Sequence, residues 1–288
     1  MADWQIGMLW IGGDLSFLEQ LCIQSFLDAG HPVRLYSYEP VGNAPAGVVH
    51  ADAAAVLPAE GFLRHGRTGS PALHSDRFRY LMLAREDRII WADTDAYCLR
   101  PFETETGHFH AWESDTGVNG GVLGLPKDSA TLARLVDFTA DPYAIPTWYG
   151  DDYRRELEAR RDAGDPVHAG AMPWGVWGPH ALTHFLKETG EIRYAMPRPT
   201  LYPFAYEERR LMLRPGLDPT PWLGPEVFSI HFYGRRMRAR IVSANGGVPK
   251  PRSLIGQLLR KHGIDPLAAP IPAKSVSAED REAEGGDP

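Results

Sequence analysis

Asp93-Thr94-Asp95 sets two carboxylates one residue apart, directly after the apolar run Ile89-Ile90-Trp91-Ala92. Four apolar residues bounded by charged ones read as a short buried strand. If the extended backbone continues, both aspartates point the same way, because side chains alternate with period two. Two like charges that close repel, and each is costly to take out of water. A divalent cation resolves the conflict. Oxygen ligands with open positions suit Mg²⁺ or Mn²⁺, with a substrate phosphate completing the shell.

The element that must position this pair lies just before it. Ser70-Pro71 reads as an N-cap followed by proline at the first helical position. On the helix that follows, Asp76, Arg79, Tyr80 and Leu83 share one face at i, i+3, i+4 and i+7. The compound pattern Ser75-Asp76-x-x-Arg79-Tyr80, a strand, Asp93-x-Asp95 and then Leu99-x-Pro101 resembles the signature of the DXD-containing sugar transferases. That family includes yeast mannosyltransferase-type enzymes and is related to the glucosyltransferase domains of the large clostridial toxins. The resemblance implies a GT-A nucleotide-sugar fold, an α/β architecture with a Rossmann-like mixed sheet flanked by helices. It also implies Mn²⁺ or Mg²⁺, a nucleoside-diphosphate sugar donor with uridine diphosphate as the commonest carrier, and retention at the anomeric carbon. By the same resemblance Asp95 binds the metal, Asp93 contacts ribose or metal water, and Asp76 and Arg79 hold donor hydroxyls.

The chain opens on strand, helix, strand. Gln5 to Ile11 is apolar and ends at Gly12-Gly13, and Ser16 with Glu19 forms a capping box for a helix stopped by Gly30. Val33 to Tyr38 then alternates. In open α/β sheets ligands bind beyond the carboxyl ends of the strands, where these glycines fall. Trp10-Ile11-Gly12-Gly13 is similar to the toxin-type members, which assigns Trp10 to stacking on uracil; a core tryptophan before a tight turn is the competing reading. Residues 42–69 read as a connecting region with room for one short helix. Asn119-Gly120-Gly121 leads into the strand Val122 to Leu125; the resemblance puts Asn119 near the donor sugar, and Asn-Gly is equally a turn signal. A helix is expected from Asp128 or Ser129 to Phe138, another, exposed, from Asp151 to Ala163, and a third opening at Gly178-Pro179. Trp174 and Trp177 are candidates to stack an acceptor sugar, with core packing the competing fate.

Residues 197–225 are rich in proline and aromatics and read as a loop-rich acceptor region. Val227 to Tyr233 reads as a strand carrying His231. The family often completes its metal shell with a C-terminal histidine, which makes His231 the third-ligand candidate against the reading of a satisfied core residue.

At 288 residues and 43% hydrophobic content the chain can bury a full core. The expectation is a single domain over 1–272, with a nucleotide-sugar half at 1–125, an acceptor half at 126–272, and a disordered acidic tail at 273–288. Net charge is −7, which argues against general nucleic-acid binding. Cys22 and Cys98 read as core hydrophobes in a reducing compartment. The N-terminus does not read as a secretory signal, and the expected location is cytoplasmic, with peripheral contact at the inner membrane face left open. Eight basic residues and no Asp or Glu lie between Phe232 and Ile264. Arg235 or Arg236 is placed to bind the donor diphosphate. The segment Arg252–His262 forms a basic amphipathic helix, which either lies on an anionic membrane or packs its leucines on the domain.

The expected function is metal-dependent transfer of a sugar from a nucleoside-diphosphate sugar to a glycan or glycolipid. A catalytically silent nucleotide-sugar or glycan-binding protein is the first alternative, and a metal-dependent phosphohydrolase the second.

Overall fold

A computed structural model describes residues 2–285. In chain order the elements are β1 (Gln5–Trp10), α1 (Phe17–Asp28), β2 (Val33–Ser37), β3 (Val49–Asp52), α2 (Ala72–Arg85), β4 (Ile89–Ala92), β5 (Ala96–Cys98), β6 (Phe109–Trp112) and β7 (Val118–Gly124). They continue with α3 (Ala130–Ala140), α4 (Asp151–Asp162), α5 (Pro179–Glu188), β8 (Ser229–His231), α6 (Gly234–Asn245), α7 (Leu254–Lys261) and α8 (Ala278–Gly285). The chain is mixed α/β. Six strands form a mixed sheet in the order β3-β2-β1-β4-β7-β6, flanked by helices, and β5 pairs with β8 in a separate ribbon. This strand set is compatible with a Rossmann-like fold.

Two compact units interleave along the sequence. The first comprises Met1–His50, Ala92–Glu103 and Arg198–Pro288, and the second Ala51–Trp91 and Thr104–Pro197. They do not follow the expected halves at 1–125 and 126–272.

In the first unit, β1 and β2 run parallel with Ile6 opposite Val33 and Trp10 opposite Ser37. The connecting helix α1 starts where the capping box requires: Ser16 Oγ accepts the Leu18 N–H, and the Glu19 carboxylate accepts the Ser16 N–H at 2.8 Å. Its apolar side, with Phe17, Leu18, Leu21 and Cys22, enters a core shared with Tyr97, Ile230, Phe232 and Met237. Full burial of each large apolar side chain contributes about 1.5–3 kcal/mol. Leu254, Ile255, Leu258 and Leu259 of α7 are buried in the same core. The apolar side of Arg252–His262 thus packs on the protein interior, the second of its two readings.

In the second unit, β6 and β7 are antiparallel, with Ala111 opposite Asn119 and a register shift between Phe109 and Ala111. Asn119 lies inside β7 rather than in a turn before it. The strand begins early because the Val118 N–H is taken by Thr183 Oγ1 at 2.9 Å, a bond from α5 that local Asn-Gly turn chemistry cannot anticipate. Helix α2 starts at Ala72, whose N–H is accepted by Ser70 Oγ at 3.3 Å. Its Asp76, Arg79, Tyr80 and Leu83 face is buried as the spacing required. Helix α4 is charged and exposed, with Leu157 alone buried.

Residues 273–288 read as a disordered tail on composition, yet Ala273–Ser275 forms a 3₁₀ turn and α8 is helical. Residues 286–288 of that segment lie outside the described residues. No helix among those described is long and apolar enough to cross a membrane.

Candidate metal centre

The aspartate pair does not continue β4. The chain turns after Ala92, the Ala96 N–H bonding back to the Asp93 carbonyl at 2.9 Å. It then leaves as β5, which pairs antiparallel with β8 so that Ala96 stands opposite His231. The Phe232 N–H donates to the Asp95 carbonyl at 2.9 Å, locking that register. The result brings Asp93, Asp95 and His231 together, one ligand atom from each lying within 4.8 Å of the others. The convergence arises from a turn and a strand pair, where simple side-chain alternation was expected.

His231 Nε2 lies 3.4 Å from Asp95 Oδ1. Asp95 Oδ2 accepts the Gly234 N–H at 2.5 Å. This N–H opens α6, and Tyr233 just before it holds a left-handed φ of +53°. Such a conformation costs a non-glycine residue of order 1–3 kcal/mol and persists where surroundings over-determine it. Gly234 must be glycine for steric reasons, because a Cβ there would sit 2.8 Å from Asp95 Oδ2 and 3.1 Å from an Arg238 nitrogen. Burial raises the Asp95 pKa, but the His231 charge and hydrogen bond, the Gly234 N–H and the Arg238 charge outweigh it, so the carboxyl is held well below the usual carboxylate range. Asp95 is thus ionised at neutral pH, ready to act as an oxygen ligand.

Arg238 ties this centre to the amino-terminal strand. Its Nε donates to Glu19 Oε1 at 2.9 Å, a second guanidinium nitrogen reaches the same oxygen, and its Cζ lies 6.0 Å from the Trp10 ring centroid. Glu19 is 1% exposed and the Arg238 side chain 24%, so the ion pair is half-buried, with the carboxylate enclosed. Burial disfavours the Arg238 charge, while Glu19 and then Asp95 more than restore it. The Trp10 indole N–H donates to the Gly13 carbonyl at 2.7 Å, folding the ring over the glycine turn at the carboxyl end of β1. Trp10, at the surface of this corner, is not a core tryptophan. Neither Arg238 nor Gly234 is flagged by the sequence reading, and Glu19 there is a helix cap alone. The missing signal was long range, since Arg238 and Glu19 are 219 residues apart.

Arg235, expected to bind the donor diphosphate, is engaged by a carboxylate. Its Nε bonds Asp280 Oδ2 at 2.9 Å, and Arg236 bonds the other oxygen of the same carboxylate at 3.1 Å. Both cysteines are buried and free. Burial pushes the Cys98 thiol up to about 12 and holds Cys22 well above the ordinary thiol value, so neither is a nucleophile at neutral pH.

The remaining sequence candidates belong to the second unit. Arg79 donates to the Gly120 carbonyl at 2.7 Å, pairs with Asp76 at 3.3 Å and lies 4.9 Å from the Trp91 ring centroid. A Cβ at Gly120 would meet Arg79 at 2.7 Å, and one at Gly178 would meet Asp76 at 2.9 Å. Two strand and loop glycines thus make room for this pair. The Asn119 side-chain oxygen accepts the Gly121 N–H at 2.8 Å. Trp177 is 1% exposed, its carbonyl accepting the Tyr80 O–H at 2.7 Å, and is a core residue; Trp174 is 43% exposed. Neither tryptophan lines the cleft of about 520 Å³ in this unit, which is bounded by Glu113, Trp148, Tyr149, His180, His184 and Lys187. Tyr149 and His180 Nδ1 share a hydrogen bond of 2.6 Å at its wall.

No known family model matches the chain, and no curated protein matches it.

Proposed function

We propose that the chain is a metal-dependent glycosyltransferase of GT-A type, acting on a nucleoside-diphosphate sugar. The observation that carries this reading is the convergence of Asp93, Asp95 and His231 within 4.8 Å. Two hard carboxylate oxygens and one imidazole nitrogen suit Mn²⁺ or Mg²⁺, ions that keep open positions for substrate phosphates. The fit is supported by Asp95, which is held ionised, and by the 3.4 Å approach of His231 to it. An ion bound there would supply Lewis-acid neutralisation of the departing nucleoside diphosphate.

The chain's own residues supply the rest. The Gly234 N–H holds the Asp95 carboxylate, so that one ligand oxygen is oriented before substrate arrives. Arg238, charged and largely enclosed, adds positive potential beside the centre where phosphate charge develops. Trp10, at the carboxyl end of β1, offers a ring face to the base. Asp76 and Arg79 brace β7 through the Gly120 carbonyl. Trp174 retains an exposed ring suited to a sugar face, and Trp177 does not.

The test is a panel of nucleoside-diphosphate sugars incubated with the protein and Mn²⁺, with nucleoside diphosphate release as the readout. The expected result is release from one or a few donors that is abolished by EDTA and reduced at least 100-fold by Asp93→Ala. Release unchanged in Asp93→Ala, or none from any donor despite tight nucleotide binding, would overturn the reading; the latter would favour a binding protein.

A further inference from the structure

Helix α8 has the sequence AEDREAEG, with no large apolar side chain, and the apolar core of its unit ends before it at Val276. At eight residues it is too short to be stable alone. It carries Glu284 toward its C-terminal end with no basic residue in the last turn, the wrong sign for the helix dipole. Charge holds it in place. Asp280 bridges Arg235 (2.9 Å) and Arg236 (3.1 Å), while Glu284 bridges Arg209 (2.5 Å) and Arg210 (3.0 Å). Arg240 adds a bond of 2.6 Å to the Glu284 carbonyl. Asp280 and Glu284, spaced i and i+4, lie on one face of α8, and their side chains are 9% and 2% exposed.

The arginine side is equally unusual. Arg235 and Arg236 occupy the first turn of α6, where no acidic residue balances them and the helix dipole is already positive. A cation there is unfavourable unless an anion sits on it, and broken local rules of this kind concentrate at functional sites. Arg235 directly follows Gly234, the residue whose N–H holds Asp95. On the other side, the Arg209 guanidinium lies 4.2 Å over the Tyr206 ring, which meets Tyr233 edge-on at 5.4 Å, and Tyr233 meets His231 at 4.8 Å. The arginines therefore continue outward from the aspartate–histidine cluster.

We infer that Arg209, Arg210, Arg235, Arg236 and Arg240 form a binding site for a phosphate-bearing ligand, occupied in the resting protein by the carboxylates of α8. Guanidinium pairs that each grip both oxygens of a carboxylate present the same fork to phosphate. Because α8 adds no large side chain to the core, its departure opens no apolar cavity. Pyrophosphate spread over the two pairs carries more negative charge than the two carboxylates it replaces, so it can compete with the tethered helix. The arginine site stands on these contacts alone; the choice of a diphosphate as its ligand rests on the glycosyltransferase reading.

The experiment uses the full chain in EDTA, which separates it from the metal centre. Inorganic pyrophosphate is titrated by calorimetry into the wild type and into Asp280→Asn/Glu284→Gln, with amide exchange of residues 278–285 followed in the wild type. The expected results are at least tenfold tighter binding to the double variant, reversal of that gain by adding Arg235→Gln, and faster exchange in α8 of the wild type on pyrophosphate addition. Phosphatidylglycerol vesicles form a second arm, in which release of α8 by vesicles alone would retain the site and make a lipid headgroup the phosphate source. Unchanged α8 exchange with both probes, or equal pyrophosphate affinity in wild type and double variant, would overturn the inference. The exchange measurement decides the matter on the wild type if the variant does not fold. Loss of nucleotide-sugar turnover with the pyrophosphate effect intact would remove the functional reading and leave this site standing.

Discussion

Glu19 in the first unit is buried charged, paired with Arg238, whereas His74 and His110 in the second are buried neutral. In the first unit each enclosed charge has a partner of opposite sign: Glu19 with Arg238, Asp280 with Arg235 and Arg236, Glu284 with Arg209 and Arg210. In the second, burial pushes the His110 pKa down to about 4, assisted by the charge on His108, and burial with the charges of Arg77 and Arg64 does the same to His74. A unit built on paired charge can hold and exchange ions. The second unit encloses the Asp76–Arg79 pair and Glu191 among the described residues, and its buried imidazoles make its stability titrate. The candidate metal centre falls in the unit that already handles charge.

The comparison is broken most readily at Asp95. Asp95→Asn should lower Mn²⁺ affinity and nucleotide-sugar turnover at least 100-fold each, measured by calorimetry and diphosphate release; retention of both would place the chemistry elsewhere. In the second unit the largest effect is expected from Arg79→Ala. It strips a buried carboxylate of its guanidinium and the Gly120 carbonyl of its donor, at a cost of about 3–5 kcal/mol in chemical denaturation. A cost below 1 kcal/mol would show that the pair is not the brace described.

The pH window in which stability is lost separates the units. His110 is protonated in the unfolded chain below about pH 6.5 and in the folded protein below about pH 4. Between those values the unfolded state binds more protons, so stability falls as pH falls, by on the order of 3 kcal/mol. Asp280 also lies below its ordinary value, but in a more acidic range. Burial raises its pKa, but Arg235, Ser277 and Arg236 lower it further. Its contribution is complete above the unfolded carboxylate pKa and is lost as pH falls through the lower folded value. Between pH 6.5 and 4.5, amide exchange should therefore accelerate in β6 and β7 while α8 stays protected. Replacing His110 by Phe should flatten the first slope, and equal acceleration in both units would contradict the contrast. The smallest effect is steric. Gly234→Ala inserts a methyl 2.8 Å from Asp95 Oδ2, and Mn²⁺ affinity should fall about tenfold, roughly 1.4 kcal/mol.

What the sequence made legible was local. The Ser16–Glu19 capping box, the apolar run of β4 and the one-sided burial of α2 follow from spacing within a turn or two of helix, and all three appear as read. What it hid was set by partners far along the chain. The basic run after Phe232 looked uncompensated because its counter-charges are distant: Asp280 sits 44 and 45 residues from Arg236 and Arg235, in a stretch with disordered composition, and Glu19 sits 219 residues from Arg238. Asp93-Thr94-Asp95 read as strand because nothing local announced that β8 would pull the chain into a turn at Asp93. Trp174 and Trp177 looked alike in sequence, and only packing against Leu73, Met172 and Val176 separates the buried ring from the exposed one.

The most direct test of the metal centre is a crystal of the full chain soaked in Mn²⁺ and measured at the manganese edge. The account predicts one anomalous peak bounded by Asp93, Asp95 and His231, absent in Asp95→Asn. A manganese ion bound only at other residues, or no peak at millimolar Mn²⁺ with the three side chains in place, would contradict it.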